Sequence, residues 1–323
     1  MSIVPGLLSL RAAPAPSAAV EVAANHVCAA TLDVGGSRPT VTAHAAEGLP
    51  DDVVVPSLTA TNLVDRHTVV AMLRRVLDAV GRPRRVALIL PDTVAKVSLV
   101  KFEKPPANVA DLDQLIRWQV RKAAPFPIEH AQVSYVPGAR HADGLEYLVS
   151  LARRDVVCEY EDACQEAGAH AGLVDLSTFN VANAVLAGAG TPQGDWLLVN
   201  VAPDSASIMI LRGADPIFFR NRAAEADGTL ADLVHQTAMY YQDRLQGTGF
   251  SRVLFCGATA GGRQAAEVDR LRQGLEQRLS LPVETIDPRD LVTLGERTDV
   301  GRAVLDALTP VVGILLRGRR AAA

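Results

Sequence analysis

The most chemically suggestive stretch of the sequence is ATLDVGGSRPTVTAH, Ala30 to His44, where an acid is followed at once by a glycine cluster. Glycines at a tight turn let backbone N–H groups approach an anion, and a carboxylate beside them can hold a metal ion or its water. Asp33, Gly35, Gly36 and Ser37 therefore form a candidate phosphate-binding turn, with Asp33 as candidate metal ligand. The same residues also suit a plain hairpin with an acid near its turn. Other candidates are thinner. GATAGGR, Gly257 to Arg263, has glycines spaced as in a phosphate loop but lacks the Lys-Ser/Thr pair that completes one. Glu225 and Asp227 are spaced as a possible acid pair, or as a solvated loop. Trp118, beside Arg117, Arg121 and Lys122, reads either as a core residue or as an anchor for an acidic partner.

Composition removes several classes of function. The chain has 323 residues, 49% hydrophobic and 21% charged, enough for about two domains with sizeable cores. A net charge of -4 with a pI near 6.0, and aromatics at 4%, give no footprint for nucleic acid. Cys28, Cys158, Cys164 and Cys256 fall in no CxxC spacing and the seven histidines in no HxxxH pattern, so a zinc site is not expected. The N-terminal stretch has Pro5 inside its apolar patch and no basic start. The expectation is a soluble cytoplasmic protein with a flexible lead over 1–24.

The elements that would position these residues alternate. Strand character at 30–34 and 40–42 is followed by a helix from Asp65 to Gly81 and a buried strand at VALIL. Residues 93–171 then read as an inserted α+β block. A Gly/Pro-rich linker near 188–194 precedes a second strand-turn-strand, Trp196 to Arg212, then a helix at 229–245, a strand at 253–256, a helix at 265–279 and a helical stretch at 304–316 broken by Pro310. A strand-turn-strand opening in each half hints at two related lobes facing a cleft.

The turns at Asp33, Asn200 and Gly257 resemble, in that order, the two phosphate segments and the adenosine segment of the actin-like ATPase superfamily. LIRWQVRKAAPFPIEHAQVSYVPG (Leu115 to Gly138), LVSLARRDVVCEYEDACQEAGAHAGLVDL (Leu148 to Leu176) and LTPVVGILLRG (Leu308 to Gly318) are similar to segments of the type IV pilus assembly protein PilM family. The resemblance implies an α/β, actin-like (ribonuclease H-like, duplicated) fold with two lobes around a cleft. Subdomain 1A would span 25–92, completed by 172–190 and 300–318, with an inserted subdomain 1C at 93–171 and a second lobe (2A/2B) at 195–299. It also implies ATP with magnesium in the cleft. Asp33, Gly35, Gly36, Ser37, Asn200, Asp204, Ser205 and Gly257 would be the cofactor-binding set, and no catalytic residue is assigned.

Departures from the family pattern weaken that nucleotide site. Thr40 stands where a lysine is expected, Asn200 where an aspartate is, Ala202-Pro203 where a glycine is, and Ala258 where a second glycine is. The expected role is a cytoplasmic scaffold with weakened or lost nucleotide binding, at most a weak ATPase. It would reach the inner membrane only through partners: a PilN-like N-terminal peptide, other pilus assembly proteins, and further copies of itself. The rivals are an ATP-dependent sugar or metabolite kinase of the same superfamily and a type II secretion scaffold.

Overall fold

The computed structural model describes residues 16–36, 38–188, 192–223, 228–295 and 300–317. Two mixed sheets with one topology form the frame. The first runs through β1 (Ala18–Val22), β2 (His26–Asp33), β3 (Thr40–Gly48), β4 (Arg85–Leu90) and, after the insert, β8 (His170–Leu176). The insert supplies β5 (Ala95–Phe102), β6 (Ala131–His141) and β7 (Gly144–Arg153). The second frame sheet has β9 (Asp195–Val201), β10 (Ser205–Arg212), β11 (Asp215–Ala223), β12 (Arg252–Cys256) and β13 (Val283–Thr285), and β14 (Thr293–Leu294) returns to the first.

The strand orders are β14-β3-β2-β1-β4-β8 and β11-β10-β9-β12-β13. In each, the opening three strands pair antiparallel and the next two add in parallel. The repeat extends to register. Val22 faces Val27 and Glu21 faces Cys28 across the first turn, as Val201 faces Ala206 and Asn200 faces Ser207 across the second.

Helices complete five layers. α1 (Arg66–Ala79), capped by Asp65 on the Thr68 amide, and α3 (Arg154–Glu166) bury Leu73, Val76, Tyr160 and Cys164 against the outer face of the first sheet. α7 (Arg302–Leu316) covers the inner face with Leu308, Val311 and Val312. α4 (Ser177–Gly188) lies beside it and turns Val181, Val185 and Leu186 to Trp196 and Leu198 of the second sheet. Gly313 allows the crossing, since a Cβ there would sit 1.8 Å from the Asn180 carbonyl oxygen. On the far side α5 (Leu230–Leu245), held by a Thr229–Asp232 capping box, and α6 (Ala265–Leu279) close the second core. α7 runs unbroken through Pro310, where an interruption was expected.

Two boundaries differ from the sequence reading. Ala18–Val22, read as flexible lead, is a fully buried strand in the middle of the first sheet. Its alanines and glutamate carry little strand propensity, and position in the sheet overrides that. The insert's own core, built around Ile116, Val133 and Tyr147 beneath α2 (Val109–Val120), ends with β7, whereas α3 packs into the first lobe.

Candidate functional site

The cleft between the lobes is formed by the β1–β2 turn, the β9–β10 turn, the loop after β12, the start of α4 and the first turns of α7. Of the residues singled out in the sequence, Asn200, Asp204, Ser205 and Gly257 meet here. Asp33, Gly35 and Gly36 do not. They occupy the exposed β2–β3 turn, about 23 Å along β2 from His26 at the cleft end, and the Asp33 carboxylate merely accepts the Gly35 amide at 2.9 Å. Ser37, Glu225 and Asp227 lie outside the described residues. The assignment of Asp33 as phosphate-turn acid and metal ligand is thus corrected by one strand: the register repeat makes Glu21, not Asp33, the counterpart of Asn200. The signal was present in VEVAANHV, Val20 to Val27, an alternating pair of short runs about a polar turn that the preceding Ala/Pro stretch disguised.

Each acid of the cleft is turned to an internal partner. Asp92, 6% exposed, accepts the Thr178 amide at 3.1 Å and the Ser207 hydroxyl at 2.6 Å, and also bonds the Thr178 hydroxyl. Burial pushes its carboxyl above the usual range against the pull of those hydrogen bonds. Asn200 donates to Thr178 Oγ1 at 2.9 Å and accepts from the Cys256 thiol at 3.3 Å. Asp306 on α7 takes the amides of Gly257 and Thr259, both at 2.8 Å, and that of Ala260 at 3.2 Å. Three converging N–H groups form an anion nest, and here the anion is a side chain of the protein. Gly257, with φ +84, is required at that turn, because a Cβ would come within 2.3 Å of the Val201 carbonyl oxygen. Ala258, which stands where the family pattern has a second glycine, packs into the second core.

Glu21 accepts from Ser177 Oγ at 2.7 Å through one oxygen, while its other oxygen faces His26 Nε2 at 3.6 Å, both atoms buried without a hydrogen-bond partner. Burial raises the Asp204 carboxyl and, strongly, the Cys28 and Cys256 thiols, which stay protonated and non-nucleophilic. The free hollow amid these groups is about 50 Å³, room for a water or two, whereas nucleotide-sized ligands occupy sites of roughly 300–1,000 Å³. Among the described residues no three His, Cys, Asp or Glu side chains converge as a metal site. Pro203, which has no N–H, stands in the second turn, and Glu21, Asp92, Asp204 and Asp306 give the cleft an acidic lining. These residues do not fit Mg-ATP in this arrangement.

A larger opening lies between the insert and the two lobes. Adjoining hollows of about 520 and 420 Å³ share Ser134, Ser150 and the β8 run Leu173 to Leu176. β8 ends its sheet, and β6 ends the insert's sheet, which has the order β5-β7-β6. Val97, Val136, Phe179 and Leu211 make the floor mainly apolar, and Arg317 pairs with Asp175 at 2.8 Å at one rim. Burial raises the Asp175 carboxyl, with Arg317 opposing it.

Residues 19–236 match the family model for type IV pilus assembly protein PilM. The chain belongs to the PilM family. Its structure is similar to that of a PilM-PilN type IV pilus biogenesis complex, with TM-score 0.77 at 16% identity over 94% of this chain and 98% of that one. It also resembles a Bacteroides thetaiotaomicron protein with actin-like ATPase fold and unknown function, with TM-score 0.50 at 8% identity over 83% of this chain and 90% of the other. No curated protein matches the sequence. The α/β actin-like fold implied by the sequence resemblance is thereby shown, and PilM membership with it. No helix among the described residues is long and apolar enough to cross a membrane.

Proposed function

We propose that this PilM-family chain is a cytoplasmic scaffold of type IV pilus assembly. It holds the extended N-terminal segment of a PilN-like inner-membrane protein in the groove beside the insert, and its cleft has become a structural seam without nucleotide. The observation that carries the reading is the groove itself, a trough with a mainly apolar floor flanked by β8 and β6, each the end strand of its sheet among the described residues. An extended peptide gains main-chain hydrogen bonds from such an edge and specificity from alternate side chains in the floor. Similarity to a structure described as a PilM-PilN complex supports the choice of partner. The seam reading rests on the Asp306-filled nest and the 50 Å³ hollow. A kinase would need a free acid beside a bound nucleotide, and Asp92 and Asp306 are committed to internal donors.

The test is a calorimetric titration of two ligands into the full chain: a synthetic peptide of the partner's cytoplasmic N-terminus, and Mg-ATP. Ser134 is exposed and lines both hollows, so Ser134→Arg fills the trough without emptying a core. Expected are peptide binding that this substitution weakens by about a hundredfold, close to 3 kcal/mol, and no heat or melting shift with Mg-ATP. Peptide binding indifferent to Ser134→Arg would place the partner elsewhere, and stabilisation by Mg-ATP would overturn the seam.

A further inference from the structure

The two tryptophans of this chain have opposite fates. Trp196 is fully buried in the second sheet and donates its indole N–H to the Gly213 carbonyl at 2.8 Å, whereas Trp118 on α2 is 68% exposed. Helical geometry explains the exposure. Ile116 and Val120 on α2 are turned onto the insert's sheet, and a residue two positions from either faces the other way. Its neighbours at one-turn spacing, Gln114 before it and Arg121 and Lys122 after it, are exposed too.

The charges around the indole are unbalanced. Arg117 is tied to Asp113 at 2.7 Å, but no carboxylate among the described residues pairs with Arg121 or Lys122. An uncovered aromatic flanked by free cations is costly to leave in water and is the kind of side chain that dominates protein interfaces. It also lies on the opposite face of the insert from the groove: Val133, Tyr147 and Val149 of the sheet pack under α2, while Ser134, Leu148 and Ser150 face the trough.

We propose that this face of α2 is a second docking surface, built for an acidic segment of a protein partner. The segment would lay an apolar side chain on Trp118 and set carboxylates against Arg121 and Lys122. Charge complementarity selects an acidic occupant. A bilayer is the poorer match, since membrane-binding patches gather about four to eight basic residues and this one has two unpaired cations. With both faces occupied, the insert would join two partners through one three-stranded sheet.

An unbiased selection tests this surface. A random 12-residue peptide library displayed on phage is selected against the full wild-type chain, against Trp118→Ala, and against Arg121→Glu/Lys122→Glu. All three positions are exposed, so unchanged melting temperatures verify folding. Wild type should enrich peptides that set Asp and Glu about a Leu, Ile or Phe. Their affinity should fall about tenfold or more with Trp118→Ala and weaken with added salt, and the charge-reversed protein should select basic peptides instead. Ser134→Arg should leave this binding untouched, which separates it from the groove. Equal enrichment on wild type and Trp118→Ala, or peptides without acidic bias, overturns the proposal. So does binding to phosphatidylcholine vesicles containing phosphatidylglycerol that Trp118→Ala abolishes, because the surface would then be a lipid contact.

Discussion

The cleft and the groove are both seams between subdomains, yet their polar groups are disposed in opposite ways. In the cleft, backbone amides and acids from both lobes largely satisfy one another, the buried Glu21 Oε2 and His26 Nε2 apart. Asp306 of the first lobe serves the loop of the second, Asp92 joins Thr178 to Ser207, and Asn25 donates to the Ala260 carbonyl at 2.8 Å. In the groove, β8 and β6 have no further strand on their outer edges among the described residues, over a largely apolar floor. A seam whose donors are already matched gains little from a ligand, while unmatched edges retain their capacity to bind. The contrast supports the proposal that recognition lies beside the insert and that the cleft is a structural seam.

The sharpest attempt to break that contrast is Asp306→Ala. It strands three amides at once, and stability should fall by about 2–3 kcal/mol in chemical denaturation, with amide exchange accelerating at Gly257 to Ala260 while groove binding persists. A loss below about 0.5 kcal/mol would mean that the nest is not internally filled. A subtler probe is Asp92→Asn. Because burial raises the folded-state pKa of Asp92, the folded chain holds that proton more tightly than the unfolded chain. Its contribution is complete below the ordinary carboxylate range and declines as pH rises through the elevated folded value. Asparagine has no such titration. The melting temperature of the variant relative to wild type should therefore climb from about pH 4 to pH 7, and a flat difference would show Asp92 to be less desolvated than its surroundings indicate. The smallest effect belongs to Asp33→Ala. With Asp33 exposed on the outer turn, stability should change by less than about 0.5 kcal/mol and peptide affinity not at all.

That last substitution marks where the sequence misled. Helices and buried strands were legible because apolar spacing carries them: Val69 to Leu77 on α1, Leu233 to Tyr241 on α5, and the short VALIL strand all sit where periodicity put them. The family followed from strings in the insert and in α7. The first turn of the cleft was missed for a physical reason. β1 draws its strand state from neighbours on both sides, β2 and β4, and its one short alternation, Val20-Glu21-Val22, is hidden behind the Ala/Pro stretch before it. Gly35 and Gly36, by contrast, advertise a turn wherever they occur. Asp306 was invisible for another reason. Its partners are backbone amides nearly fifty residues earlier in the chain, and no side-chain pattern announces a nest that is filled from a distance.

The route of α7 has a consequence for synthesis. Residues 302–316 supply the inner cover of a sheet whose opening strands, β1 and β2, leave the ribosome almost three hundred residues earlier. Until α7 arrives, Ala19, Cys28, Ala87 and Ile89 have no helix over them, although the strands that carry them have already been made. The second sheet receives α4 before its strands emerge, and α5 and α6 are made between them. The later-made lobe is therefore equipped to consolidate during translation, while the earlier one must wait with an apolar face exposed, open to chaperones and to misassembly with neighbouring nascent chains.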